Sequence, residues 1–205
     1  MALVIHFLLG FVFSFLGSLT PSMLNMTALK TSLEKEEKEV KKYALGVSLV
    51  VIVQVYLAVL LTKHLAENLT VIEALEKVGV FIFILLSYYF YSSSTKGKAK
   101  EPKTKRENPF LIGVTLSFLN MFAIPFFCGT VVTLDLFNLF NFDAFSVLFF
   151  VLGTSLGTFY ILFLYGKYAK QIQKKAGKLI KDINLFLSFL TGLVALFMLL
   201  KLFFN

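Results

Sequence analysis

The stretch GFVFSFLGSLTPSMLN, from Gly10 to Asn25, begins as an apolar helical run and turns polar halfway along. Proline inside a helix removes one backbone N–H and clashes with the carbonyl four residues back, so Pro21 is expected to free the carbonyl of Gly17. Backbone freed in this way is tolerated at membrane depth only where protein packs on it or a wet cavity meets it. Gly17, Ser18, Thr20, Ser22 and Asn25 supply small and polar groups for that purpose.

The surrounding chain is apolar enough to make membrane depth the relevant setting. Of its 205 residues 58% are hydrophobic and 25 are Phe, with a mean hydropathy of +0.81, above the usual range for a soluble domain. Runs of roughly twenty mostly apolar residues recur along the length, and each can cross about 30 Å of hydrocarbon as a helix. The first run has no Lys or Arg before it and no convincing small-x-small cleavage site, so it is read as a mature transmembrane helix and not as a secretory signal.

The net charge of +8 is distributed by topology. Apart from Lys63, Lys77 and Lys201, every one of the 20 Lys and Arg lies in one of three loops, at 30–42, 96–106 and 167–181. Alternate loops are therefore basic, which is the positive-inside pattern and not a nucleic-acid footprint. Apolar runs are read at 2–29, 43–62, 74–91, 109–134, 146–165 and 184–204. Basic loops after the first, third and fifth runs place both termini outside the cytosol. The charged segment 32–42, SLEKEEKEVKK, pairs Glu with Lys at i,i+4 and is expected as a short helix at the membrane surface.

Residues 92–108, with their Ser, Lys, Gly and Pro content, read as a flexible cytosolic linker between two halves, 1–91 and 109–205, of one transmembrane domain. The halves repeat each other. Gly10 to Leu16 and Gly113 to Leu119 both read G-x-x-x-S-F-L, and each is followed by a proline, Pro21 or Pro125. The next run of each half carries Gly-x-Ser, at Gly46 to Ser48 and Gly153 to Ser155. Three crossings per half put corresponding helices in opposite orientations. The expected fold is an all-α integral membrane protein of six transmembrane helices in two inverted three-helix repeats, a plan in which broken helices meet near the midplane around a solute.

These motifs resemble those of the LysE/RhtB lysine exporter family, over nearly the whole chain. Leu19-Thr20-Pro21-Ser22 stands where the family has a Pro-Gly-Pro signature, and Phe118-Leu119-Asn120, with Pro125 beyond it, where it has Leu-Leu-Asn-Pro. Gly79 and Leu187 to Gly192 also fit. The chain departs from the pattern at Ser22, which replaces the glycine, and at Met121, which replaces the proline. The resemblance implies export of amino acids or similar small solutes across the inner membrane, driven by the membrane potential or a proton gradient.

No acidic residue lies deep in a predicted span, so the groups available to a solute are neutral. The candidate binding set is Gly17, Ser18, Thr20, Pro21 and Asn25 at the first break, Asn120 and Pro125 at the second, and Gln54, Ser155 and Tyr160 on the neighbouring runs. Half-helix N-termini would attract a carboxylate, and freed carbonyls would accept from an ammonium. His6 and Asp135, near the outer ends of their runs, are the candidates for proton coupling.

Cys128 stands alone, His6 and His64 form no metal-ligand cluster, and no nucleophile motif occurs, so no cofactor, metal or enzymatic activity is expected. The expected partners are the lipid bilayer and a small-molecule substrate. Small-x-x-x-small pairs such as Gly153 and Gly157 fit helix packing within one chain or in a homo-oligomer. The rival reading is a non-transporting membrane scaffold or assembly subunit, in which the polar breaks serve packing alone.

Overall fold

A computed structural model describes residues 1–19, 22–66, 108–120 and 122–174, with isolated positions between 84 and 92 and between 185 and 200. Thr20, Pro21, Met121, the basic linker up to 107, Gly79 and most of the third and sixth runs lie outside the described residues. Every regular element among the described residues is helical. The chain gathers into two compact units, one from 1–64 and 105–173 and the other from 65–104 and 174–205. Each unit therefore draws on both sequence halves.

The first apolar run is two helices and not one kinked helix: α1 (Ala2–Gly17) and α2 (Met23–Glu34). Ser22 caps α2 by accepting the Asn25 N–H at 3.3 Å, which gives the chain a fresh helix start just beyond the break. The charged segment is likewise not a separate surface helix. Its second part is the first turns of α3 (Glu37–Ala66), since nothing after Glu37 breaks a helix and Lys41–Glu37 and Lys42–Glu39 pair along it at 3.1 and 2.7 Å.

In the second half, Asn108 caps α4 (Pro109–Phe118) with Pro109 in the first turn. The fourth run also divides, into α4 and α5 (Ala123–Leu136), whose axes differ by 65°. At the end of α5, Asn138 takes φ 55°, its N–H bonds the Asp135 carbonyl and the Leu139 N–H bonds that of Leu134, both at 2.8 Å. That left-handed residue closes the helix, and Asn is among the few side chains that tolerate it. Asp143 then caps α6 (Ala144–Lys167), accepting from the N–H groups of Phe145 and Ser146.

Among the described residues two helices, α3 and α6, are long and apolar enough to cross a membrane, and the bent pair α4 and α5 makes a third if it is one span. The side chains of α3 invert the pattern of a soluble helix. Leu45, Leu49, Val53 and Leu60 face outward while Ser48, Gln54 and Thr62 are buried. An apolar exterior around polar groups is the arrangement that lipid selects.

Backbone-to-backbone contact organises the first unit. A Cβ on Gly10 would strike the Phe150 carbonyl, and one on Gly153 would strike that of Phe7. Gly46 and Gly113 repeat this reciprocity with the carbonyls of Phe110 and Tyr43. Every carbonyl in the set belongs to the residue three before the partner glycine. Thus α1 of the first half locks onto α6 of the second, and α3 of the first half onto α4 of the second. Close approach of this kind gains packing that side chains larger than hydrogen would prevent. In the second unit Ser87 and Ser188 exchange hydrogen bonds, each hydroxyl donating to the other's carbonyl at 2.9 Å.

Gly153→Val and Gly46→Val are expected to destabilise the protein by about 1–3 kcal/mol or more each, because backbone cannot yield as a side chain does. Gly129→Ala, where an added Cβ meets nothing within 4 Å, should be neutral or stabilising. Melting temperatures in detergent check both. A second expectation concerns acid. The Ser146 hydroxyl and N–H, with a smaller contribution from the Phe145 N–H, hold the Asp143 carboxyl below its ordinary value. A depressed folded-state value means that the cap's stabilisation is complete above about pH 4 and fades as pH falls through that lower value. A melting series from about pH 6 down to 2 should show this loss, and Asp143→Asn should reduce it.

Candidate functional site

The two helix breaks present the same chemical problem and meet it in parallel ways. At the first, the Ser18 carbonyl accepts the Asn25 side-chain N–H at 2.7 Å and the Leu19 carbonyl accepts the Tyr165 hydroxyl at 2.7 Å. Asn25 and Tyr165 are both buried. At the second, the Gln54 side-chain N–H donates to the Ser117 carbonyl at 2.9 Å and reaches that of Asn120 at 3.5 Å. The donor crosses between halves each time: Tyr165 comes from α6 to the first break, and Gln54 from α3 to the second.

The breaks are neighbours. A Cβ on Gly17, the last residue of α1, would enter the ring of Phe126 in the first turn of α5. Above them the repeat motifs touch directly. Ser14 and Thr158, both buried, share a hydrogen bond at 2.7 Å between α1 and α6. Ser117, the counterpart of Ser14, instead donates to the Val47 carbonyl at 3.4 Å, since the register position of Thr158 in that helix pair holds Val51, which has no hydroxyl. The two Gly-x-Ser motifs also meet, with the Ser155 hydroxyl donating to the Ser48 carbonyl at 3.2 Å.

Seven of the ten proposed binding residues, Gly17, Ser18, Asn25, Gln54, Asn120, Pro125 and Ser155, therefore lie at the breaks or at the crossing of α3 and α6. Thr20 and Pro21 fall outside the described residues. Pro125 is exposed and sits in the first turn of α5, where the N–H that proline lacks would have no helical partner; it helps to begin a helix and does not kink one. Tyr160 is not in this group. It is 46% exposed on the flank of α6, its ring 6.2 and 6.1 Å from those of Phe11 and Phe15.

The aromatic hydroxyl that does reach a break, Tyr165, stands five positions further along the same helix. The usable signal was chemical: a tyrosine at the end of an apolar helix needs a partner for its hydroxyl, and the break offers an orphan carbonyl. His6 is buried and fully engaged, its Nδ1 on the Ala2 carbonyl at 2.8 Å and its Nε2 accepting the Asn141 N–H at 3.0 Å. Both ring nitrogens thus have backbone partners, one at either end of the loop contact. Asp135 is exposed at the end of α5. No group of three or more potential metal ligands occurs among the described residues.

Among the described residues, the breaks offer a solute neutral hydrogen-bonding groups and helix termini and no fixed charge. Tyr165→Phe removes the donor to the Leu19 carbonyl and is expected to cost about 0.5–1.5 kcal/mol, read as a lowered melting temperature; Tyr160→Phe, at an exposed flank, should leave it unchanged.

Residues 15–202 match the family model described as LysE type translocator. No curated protein and no solved structure matches the chain. A match over nearly the full length, on a helical chain with membrane-crossing segments, decides the matter: the chain belongs to the LysE type translocator family, and so to the membrane proteins that move amino acids or related solutes.

Proposed function

We propose that this protein is a secondary-active exporter of amino acids or similar small polar metabolites, moving them out of the cytosol across the inner membrane. Its plan is six transmembrane helices in two inverted halves, 1–91 and 109–205, with the linker inside and both termini outside the cytosol. The solute passes between the two breaks, in contact with Gly17, Ser18, Thr20, Pro21 and Asn25 on one side and Asn120 and Pro125 on the other, with Gln54 and Ser155 beside them. Tyr160 joins the path only if α6 turns.

One observation carries this reading: two helix breaks are brought side by side, each braced by a buried side chain from the opposite half. Broken helices in matched positions are how transporters build a midplane site without charged side chains. The loop charges support the orientation. For coupling, His6 is favoured over Asp135, because a proton on Nε2 must displace the Asn141 amide and so releases the loop between α5 and α6 from α1.

A scaffold reading draws on one fact, that the break carbonyls are already paired. Efflux of labelled amino acids from proteoliposomes separates the two. The exporter reading expects efflux against a gradient, lowered about tenfold or more by Asn120→Ala and by Pro21→Ala, and shifted in its pH dependence by His6→Gln. Unchanged efflux in both break variants overturns the site, and no efflux of any solute with capture of a stable protein partner favours the scaffold.

A further inference from the structure

The second unit carries a groove of about 490 Å³, the volume of a small-molecule site, and its two ends differ in chemistry. Its floor is the pair Ser87 and Ser188, joined by both hydroxyls, with Gly192 beside Ser87, where the lack of a side chain keeps the groove open. Ser87 lies near the end of the third apolar run and Ser188 near the start of the sixth, so the pair sits where both runs meet a basic loop of the sequence. Tyr88 and Tyr91, both exposed, line the groove on the loop side of Ser87, and Gly192, Leu196 and Leu199 line it on the side away from the loop. A phenolic end and an apolar remainder match the step from headgroups to hydrocarbon in a bilayer.

The two loops that adjoin this end in sequence are more basic than membrane topology requires. Orientation follows Lys and Arg, and Asp and Glu contribute little to it. The loop at 30–42 meets that rule while nearly cancelling its own charge, with five Lys against four Glu, and in it Lys38 and Lys41 pair with Glu36 and Glu37 at 2.8 and 3.1 Å. The loop at 96–106, after the third run, holds six Lys and Arg against one Glu, and the loop at 167–181, before the sixth, holds six Lys and no acid. Such a surplus draws anions from elsewhere. A second copy is a poor source, because two-fold packing about the membrane normal brings the same ends together and sets the basic runs against each other. An anionic lipid brings both a chain for the groove and a charge for its loop end.

We propose that the groove of the second unit binds an anionic phospholipid of the cytosolic leaflet: an acyl chain lies against Gly192, Leu196 and Leu199, and the phosphate stands at Tyr88 and Tyr91. The phenols donate to the phosphate, and the basic runs that flank the groove in sequence hold it by charge, at about fivefold in affinity for each Lys or Arg near the surface. The choice of leaflet rests on the orientation proposed above. The site itself rests on neither that orientation nor transport.

The test uses purified full-length protein in detergent micelles with radiolabelled phosphatidylglycerol or phosphatidylcholine of the same chains, and reads the lipid retained through gel filtration. The wild type should hold phosphatidylglycerol about tenfold or more tightly than phosphatidylcholine. Replacing Lys174, Lys175, Lys178 and Lys181 by Gln should cut that preference to about threefold or less, whereas Lys35→Gln with Lys38→Gln should leave it. Salt at about 1 M, where charges are screened within about 3 Å, should cut it likewise and decides the point if the four-Lys variant fails to fold. Leu196→Trp, at an exposed position, fills the groove and should weaken retention about tenfold. Phosphatidylglycerol with a photoreactive acyl chain should label peptides holding residues 84–91 and 188–199. Equal retention of the two lipids, unchanged retention in a folded Leu196→Trp protein, or labelling confined to other segments overturns the site. A dimer that excludes the labelled lipid also overturns it and gives the groove to a second copy. None of these measurements reads efflux, so their failure leaves the transport reading standing, and a protein without efflux leaves this site standing.

Discussion

A backbone carbonyl released from its helix inside hydrocarbon has no water to turn to, and leaving it unpaired costs several kcal/mol. At the two interrupted helices side-chain donors reach such carbonyls, at Ser18 and Leu19 in the first and at Ser117 and Asn120 in the second, where turn N–H groups bond them as well. Much of the first unit can be understood as the solution. Side chains of modest reach must arrive from another helix, which requires helix axes closer than ordinary side chains permit. Gly10 with Gly153, and Gly46 with Gly113, provide that closeness. The glycine contacts and the amide and phenol braces are thus one device, with the first setting the distance that the second needs.

The solution also accounts for the electrostatic character of the site. Neutral donors satisfy carbonyls without placing a full charge in low dielectric, where desolvation would cost more than pairing returns. The charges remain at the ends, as in the Lys and Glu ladder at the start of α3 and the Asp143 cap of α6. What is left around the described breaks is a set of partial charges.

The breaks were legible in the sequence because their causes are local. Pro21 and Pro125 follow the same G-x-x-x-S-F-L motif, and small polar residues cluster after each. The consequence was less legible: a kink was expected where the chain instead stops and restarts, because Ser22 and the first turn of α5 offer new helix starts. What satisfies the breaks was not legible at all. Tyr165 and Leu19 are 146 positions apart, and no local pattern links them. The choice between Tyr160 and Tyr165 turns on the rotation of α6 about its axis. A helix this apolar carries a weak hydrophobic stripe, and the contacts of Gly153 and Gly157 with the backbone of α1 and of Thr158 with Ser14 set which phenol points inward.

The crossed pairing of the helices has a mechanical meaning. Were the two sequence halves to separate as rigid bodies, all four glycine contacts would have to part at once. The tightly packed pairs are mixed ones, α1 with α6 and α3 with α4, each holding one helix from either half. Between them, within this unit, the described hydrogen bonds are few, and the single Ser155 to Ser48 bond lies where the two motifs meet. The closest packing in this unit thus joins helices across the two halves of the sequence and not within either one.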